Sequence, residues 1–145
     1  MIDKEITRRI VEEQISQLKR ESRDLIERHG WRIEVEDTTV FVKMRSSKDG
    51  EEYLLRIQCD GYPEKNLFIQ FVDPSSRIPK SSVWPVDRPV GDRRVFLPDR
   101  MIICLVPKSG SVLAIPEIIQ RIQFYLNYDG YIGRHSSLVQ RSRLE

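Results

Sequence analysis

The sequence predicts an α+β fold, and three observations carry that prediction. A long amphipathic stretch opens the chain, four short apolar or alternating stretches follow with little more than turns between them, and a second amphipathic stretch lies near the C-terminus. Helices at the ends of a run of strands, rather than between them, mean an antiparallel meander with a helix laid across one face.

Ile2 to Arg28 reads as one long helix. Ile6, Ile10, Val11, Ile15, Leu18, Leu25 and Ile26 recur at roughly helical spacing, while Glu12, Glu13, Lys19, Arg20 and Glu21 fill the other face. Asp3 suits an N-cap, and Gly30 can take the positive φ that stops a helix. The basic residues of this helix are interleaved with acids, which suits a solvated face better than a protein-docking one. Trp31–Glu36 alternates apolar and polar residues and predicts a half-buried strand. A turn at Asp37-Thr38 leads to a second strand over Thr39–Met44. A third is expected over Tyr53–Cys59 and a fourth over Leu67–Val72.

From Asp73 to Arg100 the periodicity disappears. This stretch holds Pro74, Pro79, Pro85, Pro89 and Pro98 with Trp84 among them, and predicts a long irregular loop. Such loops either strap a core or pack over a site. The apolar run Arg100-Met101-Ile102-Ile103-Cys104-Leu105-Val106-Pro107 follows. Pro116 fits the first turn of a second helix, in which Ile118, Ile119, Ile122, Tyr125 and Leu126 share a face. Asn127 to Gly130 ends it. The expected organisation is a single α+β domain over 1–130 and a polar, basic tail over 131–145.

Composition narrows the function classes. Among 145 residues, 24 basic and 22 acidic side chains leave a net charge of only +2. No uncompensated basic stripe marks a nucleic-acid partner. No apolar run is long enough to span a bilayer, and the charged N-terminus lacks the apolar core of a secretory leader. The expectation is a cytoplasmic protein with reduced thiols. Cys59, Cys104, His29 and His135 are scattered singly, so no zinc-type cluster exists. No P-loop, dinucleotide fingerprint or Ser-His-Asp order is present. No cofactor or metal is expected. His135 is best read as solvated and Cys59 as core. Cys104 has two readings: a small core residue in a buried strand, or a nucleophilic thiol where a strand hands over to a loop.

Two local motifs join this order of elements. In Tyr62-Pro63-Glu64-Lys65-Asn66-Leu67-Phe68-Ile69-Gln70-Phe71, a Tyr-Pro turn precedes an aliphatic residue and a phenylalanine two apart. In Ile103-Cys104-Leu105, the cysteine lies between aliphatic residues, a few positions after Leu97-Pro98-Asp99. Order and motifs together resemble the ubiquitin-conjugating (E2) family over about residues 1–130. The Leu-Pro-Asp run is similar to a divergent bacterial branch, in which an aromatic-Pro-Asp-Gly turn leads to Leu-Cys-Leu. The departures are definite. Asn66-Leu67 replaces the family's proline pair, no His-Pro-Asn turn precedes Cys104, and the tryptophan usual after the cysteine is absent.

The resemblance implies a UBC-like fold and a cysteine acyl transferase. Cys104 would take the C-terminus of a ubiquitin-like modifier as a thioester and pass it to an amine. It would need an activating enzyme as a partner, and no nucleic acid or membrane. Asp99 (or Asp92) would accept a proton from the attacking amine, and Arg100 or Lys108 would favour the thiolate. The bacterial branch includes components of antiviral (CBASS) operons, in which the modified protein is often a cGAS-like nucleotidyltransferase. That implies a role in anti-phage defence. The missing His-Pro-Asn implies an alternative, a non-catalytic E2-like (UEV-type) protein-binding adaptor.

Overall fold

The computed structural model describes residues 3–89, 94–105 and 113–138. Its class is α+β: N-terminal helices, a four-stranded antiparallel sheet and a C-terminal helix. The expected single N-terminal helix is two, α1 (Lys4–Glu21) and α2 (Arg23–His29). Ser22, at φ −122° and ψ 32°, breaks the helical geometry between them, and its carbonyl accepts from the Leu25 and Ile26 amides. Apolar spacing alone does not reveal this, because Leu25 and Ile26 still pack on the core from the displaced second helix. Asp3 caps α1 by accepting from the Glu5 amide at 3.3 Å, and Gly30 at φ +69° ends α2 in the left-handed form.

The strands are β1 (Arg32–Glu36), β2 (Thr39–Arg45), β3 (Glu52–Gln58) and β4 (Phe68–Val72), paired in that order. Register puts Val42 opposite both Ile33 and Leu55, and Leu55 opposite Phe71. Because side chains alternate across a strand, these four residues share the inner face. There they meet Val11, Ile15 and Leu18 of α1 and Ile118, Ile119 and Ile122 of α3 (Ile115–Asn127). The outer face is more polar, but Phe41 on it is buried under the Arg77 guanidinium, 4.3 Å above its ring. Arg77 is held there by Glu36, whose two carboxylate oxygens both accept from Nη1 at 2.8 Å.

The stretch Asp73–Arg100 is more ordered than its lack of periodicity suggests. It carries β5 (Pro85–Asp87) and β6 (Phe96–Leu97), with residues 90–93 between them outside the described residues. β6 pairs with β7 (Ile102–Ile103), and β5 pairs with β8 (Tyr131–Arg134). The expected domain boundary at 130 is therefore passed without a break: Tyr131 is buried, and its hydroxyl is 2.6 Å from that of Tyr53. Of the expected tail 131–145, residues 139–145 lie outside the described residues.

Three long-range bonds set the helices against the motif around Tyr62. Gln14 on α1 donates to the Tyr62 hydroxyl at 2.9 Å and accepts from the Ile115 amide at 3.1 Å. One side chain thus ties the Tyr-Pro turn, whose Tyr62–Pro63 peptide is cis, to the first residue of α3. Thr7, also on α1, donates to the Tyr62 carbonyl at 3.0 Å.

Candidate functional site

The site is a hairpin beside the β4 edge. Pro98 fits the turn between β6 and β7 because its ring presets φ. The Arg100 amide donates to the Leu97 carbonyl at 3.2 Å, and the Met101 amide to Pro98 at 3.1 Å. Met101 leaves the turn at φ +52°, a left-handed conformation that costs a residue with a Cβ about 1–2 kcal/mol. The surroundings hold it there: Gln70 of β4 donates to the Met101 carbonyl at 3.1 Å. Beneath the hairpin, Phe96 is fully buried against Phe71, whose ring also meets Trp84 and Tyr53 edge-on. Such aromatic contacts add about 0.5–1.5 kcal/mol each beyond burial.

Cys104 continues β7 past its assigned end. Its amide donates to the Val95 carbonyl at 2.7 Å, opposite the β6 strand. Alternation along the strand puts Ile102 and Cys104 on one face and Ile103 on the other. Ile102 and Cys104 are both exposed, and Ile103, which pairs with buried Phe96, is half-buried. The Cys104 sulfur has no hydrogen-bond partner among the described residues. Cys59 is the opposite case: fully buried just past β3, its thiol donates to the Ile57 carbonyl at 3.5 Å. Burial first, then the neighbouring Asp60 charge, pushes the Cys59 thiol up to about 12. The core reading of Cys59 therefore holds, and the core reading of Cys104 does not.

An apolar groove of 270 Å³ runs between β4 and the segment that carries Cys104. One wall is Asn66, Leu67, Phe68 and Ile69, and the other is Met101, Ile102, Ile103 and Leu105. Leu113 and Ile118 also line it. Phe68 and Ile102 keep 54% and 46% of their surface exposed, an apolar rim next to an exposed thiol. The Gln70–Met101 bond ties β4, which supplies one wall, to the segment that supplies the other.

The other expected site residues are less closely grouped. Asp99 stands at the tip of the hairpin with its side chain 93% exposed, and no bond joins it to Cys104. One neighbour is unexpected: the His135 Nε2 lies 3.9 Å from the Asp99 Oδ1. His135 is half-buried rather than solvated, held by its amide bond to the Trp84 carbonyl at 2.9 Å. Arg100 is exposed at the same turn. Asp92 and Lys108 lie outside the described residues.

Sequence reasoning missed Asp87. This fully buried carboxylate accepts from the Val95 amide at 2.9 Å, the Phe96 amide at 3.0 Å and the Tyr128 hydroxyl at 3.1 Å. Burial and the Asp87 charge push the Tyr128 phenol up to about 12. Only its place in a proline-rich loop, with no apolar neighbour pattern, stood out in the sequence, and that pattern is shared by any turn aspartate.

No group of His, Cys, Asp and Glu side chains among the described residues is arranged to hold a metal ion. No helix among them is long and apolar enough to cross a membrane. No protein-family model, curated protein or solved structure matches the chain.

Proposed function

We propose that this chain is an E2-like acyl transferase of UBC-like fold, with Cys104 as its nucleophile. The observation that carries the reading is the exposed Cys104 thiol, on the segment whose neighbours Ile103 and Leu105 line an apolar groove, in a protein whose other cysteine is sealed in the core. The order of helix, antiparallel meander, cysteine segment and helix supports it.

The chemistry follows from sulfur. The Cys104 thiolate attacks the thioester carbonyl of a ubiquitin-like modifier carried by an activating enzyme; the new C–S bond forms and the enzyme's thiolate leaves. An amine then attacks the same carbonyl, the C–N bond forms, the Cys104 thiolate departs and the amine's extra proton passes to a base. Asp99, at the exposed tip, is the carboxylate assigned to that proton. The proposed setting is the cytoplasm of a bacterium with an anti-phage operon, where the modified protein includes a cGAS-like nucleotidyltransferase.

A second reading is the non-catalytic adaptor. Its specific support is that no bond joins Asp99 to Cys104, while Asp99 instead lies beside His135. A Cys104→Lys variant, incubated with an activating enzyme charged with a ubiquitin-like modifier, separates the two. The transferase reading predicts an isopeptide adduct at residue 104 that survives reducing agent, and a reducible adduct on the unaltered protein. Absence of both adducts selects the adaptor.

A further inference from the structure

We propose that Asp87 is the positioning residue of the cysteine hairpin: it holds the backbone of Val95, and through Val95 it sets where Cys104 stands. The Val95 amide donates to Asp87 Oδ2, and the Val95 carbonyl accepts from the Cys104 amide at 2.7 Å. A single residue thus links the buried carboxylate to the backbone that carries the exposed thiol. Asp87 Oδ1 takes the next amide, that of Phe96, at 3.0 Å. Two consecutive amides at the start of β6 are thereby satisfied by a side chain rather than by a neighbouring strand.

The local backbone explains why this carboxylate points inward. Pairing of β5 with β8 slips between Val86 and Asp87, a bulge of the kind that re-aims a side chain. Asp87 ends fully buried, where an unpartnered carboxylate would be strongly unfavourable. The third bond, from the Tyr128 hydroxyl, ties the arrangement to the end of α3. An apolar residue of the same size would fill the space and leave both amides without partners. The consequence for acyl transfer rests on the function proposed above; the positional role does not.

The test is residue-resolved amide exchange on the full chain carrying Asp87→Asn, which keeps the shape and removes an acceptor. Exchange at Val95, Phe96 and Cys104 is expected to speed up by about 10-fold or more, with less than a ~2-fold change at Leu55 and Ile57 in the sheet. A uniform rise, no change at the three amides, or loss of folding would overturn the proposal. The milder Tyr128→Phe keeps both amide bonds and is expected to raise exchange at Val95 by about 3-fold; an unchanged rate there also counts against it. In the transfer assay, Asp87→Asn is expected to lower turnover with little change in half-saturation. If the unaltered protein never forms an adduct, the transferase reading fails while the exchange result still judges Asp87.

Discussion

The sheet around Cys59 and the hairpin around Cys104 use the same residue type to opposite ends. Cys59 follows a strand paired on both sides and covered by helices, so its sulfur is sealed and its proton held tightly. Cys104 extends a two-stranded hairpin that has one wet face, so its sulfur meets solvent. The sheet is held by apolar layers over many residues. The hairpin is held by a few side-chain bonds from elsewhere, chiefly those of Gln70 and Asp87. Exposure of the thiol here depends on which kind of support a cysteine receives.

The change with the largest expected effect strikes where the two regions join. Phe71→Ala removes the ring that touches Tyr53 on the sheet and Trp84 and Phe96 under the hairpin. It is expected to cost about 3–5 kcal/mol in urea unfolding. A cost below about 1 kcal/mol would mean that the two regions are not packed as one.

Alkaline unfolding sharpens the sheet side of the comparison. The Cys59 thiol loses its proton near pH 9 in an unfolded chain and near 12 in the folded one. Between those values the unfolded state holds fewer protons, so stability falls as pH rises, by up to about 1.4 kcal/mol per pH unit from this group. Tyr53 and Tyr131, also raised chiefly by burial, add to the same trend. Cys59→Ala is expected to flatten the slope measured between pH 9 and 11 without abolishing it; an unchanged slope contradicts the burial of that thiol.

Smaller effects probe the hairpin. Gln70→Ala removes the bond to the Met101 carbonyl and an acceptor for Arg56, and is expected to cost about 1 kcal/mol. Met101→Gly relieves the positive φ and offsets it with backbone entropy, leaving a net gain of at most about 1 kcal/mol. A clear destabilisation by the glycine would show that the Met101 side chain, which lines the groove, matters more than its backbone.

The same contrast explains what was legible in the sequence. Trp31–Glu36 and Tyr53–Cys59 alternate because one face is buried, so β1 and β3 could be read within a residue or two. β5 and β8 could not: each is short, β5 begins with Pro85, and they pair across more than 40 residues. Their partner choice depends on the core formed by Trp84, Phe96 and Tyr131, which exists only after folding. Cys104 was legible as a candidate from its motif, but its exposure depended on the register of β6 and β7. Asp87 and the approach of His135 to Asp99 were invisible for the same reason: they join residues from separate stretches of chain.

The most direct measurement is alkylation of the native protein by iodoacetamide at pH 8, followed by mass mapping of the two cysteines. Complete modification of Cys104 is expected while Cys59 stays free until denaturant is added. Protection of Cys104 in the folded protein, or modification of both cysteines at similar rates, would contradict that expectation.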